Sequence, residues 1–98
     1  MFRHTVLFRF SPETTDDQIE AMAAGLLTLP PAIPEIRSYQ PGRNVGEANT
    51  NWHFAIVADF DSKADWEIYR DHPVHRQVIE DIIQPLVADR AAVQYEID

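Results

Sequence analysis

The segment Tyr69-Arg70-Asp71-His72-Pro73-Val74-His75 ends one helix and starts another. Upstream, Ser62 followed three residues later by Asp65 has N-cap spacing, so a short helix runs to about Tyr69 or Arg70. Pro73 then suits the first turn of a second helix, because its missing N–H is not needed there and its fixed φ is already helical. In that second helix His75, Val78, Ile79, Ile82, Ile83 and Leu86 form one apolar stripe, with Pro85 near its end.

On either side of this helical pair the period changes from helical to two. Trp52, Phe54, Ile56, Ala58 and Phe60 alternate with His53, Ala55, Val57 and Asp59, which predicts a strand over 52–60. Ala91, Val93, Tyr95 and Ile97 share one face of a closing strand over 91–97.

The N-terminal half repeats this order. His4, Val6, Phe8 and Phe10 face one way, and Arg3, Thr5 and Arg9 face the other with Leu7, until Ser11-Pro12 breaks the strand. Thr15 and Gln18 have capping-box spacing, and Asp16 and Asp17 fall where a helix dipole favours acids. Ile19, Met22, Leu26 and Leu29 continue at helical spacing until Pro30-Pro31 and Pro34, which are expected to end the helix in a stiff connector. Ile36 to Asn44 reads as a more polar strand in which Pro41-Gly42 predicts a bend, a bulge or an edge position. The order strand, helix, strand, strand, helix, strand predicts a single α+β domain over residues 1–98. Its architecture is ferredoxin-like, a four-stranded antiparallel sheet with both helices on one face. The half-apolar second face, with Leu7, Ala55 and Val57, is then a natural place for a second copy of the chain.

Composition narrows the function. Eight basic residues against sixteen acidic ones give a formal net charge of −8, which disfavours phosphate backbones and anionic membranes. There is no cysteine, so disulfides, thiolate nucleophiles and thiolate metal sites are excluded. The strand-like opening, with no apolar leader pattern, predicts a cytoplasmic protein. Glycine-rich phosphate loops, a serine elbow and paired catalytic carboxylates are missing.

Three side chains stand out against this background. His75 points with the apolar stripe toward the core, His4 lies on the apolar face of the first strand, and Tyr69 follows Trp66 by three residues on the buried side of its helix. Taken singly, each suits a structural role in which a buried polar group finds a hydrogen bond. Together they make a minimal proton-transfer site, with His75 as base, Tyr69 as its partner and His4 as a polar wall. His72 and His75 are three apart, yet no third ligand stands at matching spacing and the Pro73 turn separates their directions, so no metal is expected.

With Tyr69-x-x-His72-Pro73-x-His75 in this position, the chain resembles the stress-responsive alpha/beta barrel family, often shortened to Dabb, over essentially its whole length. The opening His4, the Pro41-Gly42-Arg43-Asn44 turn and the Ala55-to-Phe60 strand belong to the same resemblance. It implies a dimeric α+β barrel, two sheets packed together with helices outside, in which many members have no assigned reaction. Some plant members cyclise linear polyketides by aldol-type chemistry in a pocket between sheet and helices. Matched onto this chain, that pocket gives His75 and Tyr69 as catalytic candidates, and His4, Phe8, Leu26, Phe54 and Ile56 as ligand-contacting candidates; His72 joins them as a ligand-contacting candidate, although its place before Pro73 suits a residue that shapes the turn. Phe54 stands where those cyclases place a histidine and Leu26 where they place a tyrosine, which implies a more apolar cavity. The expected function is binding of a small apolar or carbonyl-containing molecule by a homodimer, with no cofactor. Two alternatives accompany it: a cofactor-independent cyclase, isomerase or monooxygenase-like enzyme, and a stress protein acting through assembly alone.

Overall fold

A computed structural model describes residues 1–98. Strand β1 (Phe2–Phe10) alternates buried and half-buried along its whole length, as its sequence of apolar even and polar odd positions requires. Helix α1 (Asp16–Leu26) opens on the expected capping box: the Thr15 hydroxyl accepts from the Gln18 N–H, and the Gln18 side chain accepts from the Thr15 N–H. Ile19, Met22 and Leu26 are its buried face. The proline-rich connector departs from expectation by forming a single helical turn, α2 (Leu29–Ala32). Pro30 and Pro31 fall in the first turn, where their missing N–H groups leave no hydrogen bond unmade.

Strand β2 (Ile36–Arg43) pairs antiparallel with β3 (Phe54–Phe60), Tyr39 opposite Ala58 and Pro41 opposite Ile56. The sheet order β2-β3-β1-β4 leaves β2 at an edge, which is why a proline is tolerated inside it. The ladder irregularity lies between Ile36 and Ser38 rather than at Pro41-Gly42. Trp52 and His53 precede β3 instead of starting it. His53 donates its backbone N–H to the Phe8 carbonyl at 2.9 Å and accepts the Phe10 N–H on Nδ1 at 2.9 Å, while the Arg9 guanidinium covers Trp52.

Helix α3 (Lys63–Asp71) is capped by Ser62, whose hydroxyl accepts from the Asp65 N–H at 3.2 Å. Helix α4 (Pro73–Val78) follows, with His72 between the two helices. The expected single helix up to Leu86 does not form. Over Ile79–Ile83 the chain widens into a π-helical turn, marked by the Gln84 N–H bonding the Ile79 carbonyl five residues back at 2.8 Å. Strand β4 (Val87–Glu96) starts earlier than the predicted Ala91 and pairs with β1.

The strand order and the all-antiparallel pairing are those of the ferredoxin-like fold, with every helix on one face. Phe2, Val6, Phe8, Phe54, Ile56 and Phe60 form the sheet side of the core, and Met22, Leu26, Tyr69, Val78 and Ile83 the helix side. Register assigns the other face. Thr5 lies beside both Val57 and Val93, Leu7 beside Ala55 and Ala91, and Arg3 beside Asp59 and Tyr95. The apolar row of β4 therefore extends the half-apolar face of the sheet, where Val93 is 58% exposed. The opposite row of β4, with Arg90, Ala92 and Gln94, faces the helix side. These residues stay exposed because the helices do not reach over that edge of the sheet.

Candidate functional site

That incomplete cover produces a cavity of about 530 Å³ between the sheet and the α3, α4 and π-helical segment. Each wall comes from a local feature of the fold. The even positions of β1 supply His4, Val6 and Phe8, and β3 supplies Ile56. The break at His72-Pro73 turns the chain so that His75 comes back onto Tyr69, their ring centroids 4.0 Å apart. The π-helical turn contributes Ile79, Glu80 and Ile83.

Among the sequence candidates, His4, Phe8, Ile56, Tyr69 and His75 line this one cavity. Leu26, Phe54 and His72 do not. Leu26 is sealed in the core beneath α1, and Phe54 is turned edge-on against Phe10. The His72 imidazole is used locally, accepting the Val74 N–H on Nδ1 at 3.2 Å to cap α4. The sequence alone leaves out Trp66, Arg70, Arg76 and Arg90 as lining residues, and Tyr39 and Gln94 as partners behind the lining. Arg90 and Gln94 were findable only through the register of β4, which puts them opposite Phe8 and His4 on the helix side.

The hydrogen bonds define the protonation of the site. The His75 Nδ1 lies 3.1 Å from the Arg70 carbonyl, which can only accept, so Nδ1 carries the proton and the neutral ring keeps a lone pair on Nε2. The Gln94 amide nitrogen lies 3.0 Å from His4 Nδ1, so it donates there and leaves the His4 proton on Nε2. Burial holds both imidazoles neutral. His4 is lowered from the ordinary 6.5 to about 4, mainly by desolvation, with the Arg90 charge adding to it. His75 is lowered too, again mainly by burial, against the raising effect of its carbonyl partners. The Tyr69 hydroxyl bonds the Tyr39 hydroxyl at 3.0 Å in the interior. Desolvation pushes Tyr69 up to about 12 and Tyr39 higher still, so both phenols stay protonated. Trp66, packed on the Phe2 and His4 rings, has a buried indole N–H with no acceptor. Chemically, a partly apolar cavity holds one neutral donor ring, one neutral acceptor ring and a phenol, with Arg70, Arg76, Arg90 and Glu80 as its charged lining.

The family model of the stress responsive A/B barrel domain matches residues 2–97. A dimeric ferredoxin-like protein of unknown function from Thermobifida fusca YX is 44% identical, over 98% of this chain and 90% of that one, with a TM-score of 0.89. A dimeric protein of unknown function with the same fold from Bacteroides fragilis is 26% identical, over 98% and 95% of the two chains, with a TM-score of 0.85. The hydroxynitrile lyase from Passiflora edulis is 21% identical, over 99% and 93%, with a TM-score of 0.86, and so shares the fold. No curated protein matches the chain. No helix is long and apolar enough to cross a membrane.

Proposed function

We propose, from the premise that this chain belongs to the stress-responsive A/B barrel domain family, that it binds a small, largely apolar carbonyl compound in the cavity between sheet and helices. The observation that carries this reading is the meeting of His4, Tyr69 and His75 on a cavity of about 530 Å³ that is otherwise mostly apolar. That volume is in the range of small-molecule sites, and a few convergent polar groups in an apolar wall are what orients such a ligand. An interior of this kind goes beyond what assembly alone would need. The protein is taken to act as a dimer, as the relatives from Thermobifida fusca and Bacteroides fragilis are described. A cytoplasmic setting suits the cysteine-free composition.

The free Nε2 of His75 favours a second reading of the same site, proton transfer at the carbon next to the carbonyl. His75 would take that proton while the His4 N–H stabilises the oxygen on which charge develops. One experiment serves both readings. Titrating the protein with octan-2-one in D₂O, followed by NMR, should perturb the signals of His4, Tyr69 and His75 and exchange the ketone's α-hydrogens. His75→Ala should abolish the exchange, and Ile79→Trp, which fills the cavity, should abolish binding. Perturbations confined to the open sheet face, or binding untouched by Ile79→Trp, would remove the cavity reading. Binding without exchange would leave a carrier rather than a catalyst.

A further inference from the structure

The distribution of charge around the cavity is the reverse of that of the chain. Sixteen acidic residues outnumber eight basic ones in the sequence. Around the cavity, however, stand three arginines, Arg70, Arg76 and Arg90, and a single acid, Glu80. Most arginines elsewhere are already paired: Arg3 with Asp59, Arg37 with Asp61 and Arg43 with Asp16. At the cavity itself Arg70 is held by Asp71 and lies over the Trp66 ring. Arg76 and Arg90 have no ion-pair partner and no side-chain hydrogen bond, although acids are twice as numerous as bases. Two unpaired guanidiniums beside an apolar cavity in a strongly acidic protein are a recognition feature. Guanidinium presents a planar fork of donors that matches a carboxylate.

Arg90 is placed to read the ligand's charged end. It lies opposite Phe8 on the helix-facing row of β4, and its charge reaches His4, Tyr69 and His75. Behind the dominant effect of burial, it helps lower His4 and His75 and favours the ionised form of Tyr69. Because the two histidines are neutral, any selection for an anion falls to the arginines. Glu80 opposes them as the one acid on the wall.

Resting on the reading of this cavity as a ligand site, the geometry points to an apolar organic acid as the ligand class, its carboxylate taken by Arg76 and Arg90 and its hydrocarbon chain laid over Phe8, Ile56 and Ile79. The acid is excluded from most of the surface by the chain's own charge and admitted where that charge is locally reversed. The arginines also keep the acid's charged end at the rim, so that the chain rather than the carboxylate enters the apolar interior, where a charge would be costly.

The test compares two probes that share a six-carbon chain and a carbonyl carbon, heptanoate and octan-2-one, by calorimetric titration at low ionic strength. Heptanoate should bind the unaltered protein roughly tenfold more tightly than the ketone, the scale of a charge-assisted contact. The double substitution Arg76→Gln and Arg90→Gln should remove that advantage, bringing the two affinities to within about twofold of each other. Equal affinities in the unaltered protein, or a heptanoate advantage that survives the double substitution, overturn the acid assignment while ketone binding continues to support the cavity. Failure of both probes to bind overturns the cavity reading, and this inference with it. Both arginines are exposed, so the variant should melt like the parent. Should it not fold, the acid-to-ketone ratio of the unaltered protein still decides.

Discussion

A histidine in the middle of an apolar strand face must be either charged and paired or neutral and hydrogen-bonded, and His4 is the second. It is 5% exposed, bonds the Gln94 amide and packs against the Trp66 and Tyr69 rings, with no carboxylate to hold a positive charge. Its position was legible from the alternation of β1; its partner was not, because Gln94 meets it only through strand register. Its pH behaviour follows from linkage. The folded value lies near 4 against an ordinary 6.5, so the unfolded chain takes up a proton that the folded chain refuses. Stability is therefore complete above about pH 7, falls as the pH drops through 6.5, and levels off only below about 4, a loss on the order of 3 kcal/mol. His75 contributes in the same direction. Asp59, held down by its Arg3 fork, adds a separate loss below the ordinary carboxylate range. Urea denaturation at a series of pH values should show this slope in the parent and most of it gone in His4→Phe. An unchanged slope in the variant would mean that other groups govern acid sensitivity.

At the scale of elements, capping was the most legible feature and helix continuity the least. Thr15-x-x-Gln18 and Ser62-x-x-Asp65 state their caps in the sequence because each cap is closed within four residues. The stripe His75, Val78, Ile79, Ile82, Ile83 and Leu86 suits an α-helix and a wider turn alike, and tertiary packing decides between them. Gly25 on α1 is part of that decision. A Cβ there would lie 2.6 Å from Ile82 Cδ1 and no closer than 3.9 Å to the other Ile82 atoms. The missing side chain lets the π-helical segment approach α1 closely, and that segment is one wall of the cavity. Two opposing effects meet at this point. Gly25→Ala improves helix propensity by up to about 1 kcal/mol, and it also pushes the terminal methyl of Ile82 off its rotamer at a cost of about 0.5–1.5 kcal/mol. Ile82→Val removes the clashing methyl at a cost of about 0.5–1.5 kcal/mol. A double-mutant cycle should therefore find Gly25→Ala neutral or destabilising in the parent and stabilising by about 0.5–1 kcal/mol in the Ile82→Val background. The same effect of Gly25→Ala in both backgrounds would show that the close approach does not constrain the π-helical turn.

For the whole molecule the governing fact is a sheet covered on one side only. A domain of this size buries a modest share of its surface, and the open face carries Leu7, Val57, Ala55, Ala91 and Val93 in adjoining rows. Two copies of a chain with a net charge of −8 repel one another, so whatever surface joins them must be locally free of that charge. The open face meets this condition. Its acids on β1, β3 and β4 are Asp59, in a fork with Arg3 at 2.8 and 2.9 Å, and Asp89, directly across from Arg9. The opposite charges balance at the two ends of β1, leaving a neutral, mostly apolar centre around Thr5, Val57 and Val93. Sequence alternation identifies Leu7, Ala55 and Val57 as such a surface, but only pairing with β1 adds the β4 row to it, because alternation alone does not say which face of β4 is covered. The expected outcome is a dimer at micromolar concentration in sedimentation velocity. Val93→Glu should convert it to a monomer, since a stable interface of about 1,200–2,000 Å² built on this face cannot bury two unpaired carboxylates at its centre. Val45→Glu, on a residue 96% exposed in the loop before β3, should remain dimeric. A monomeric parent would remove the dimer altogether. A dimer that survives Val93→Glu would place the contact on another surface, and the charge balance across β1 would then belong to the folding of one chain rather than to the meeting of two.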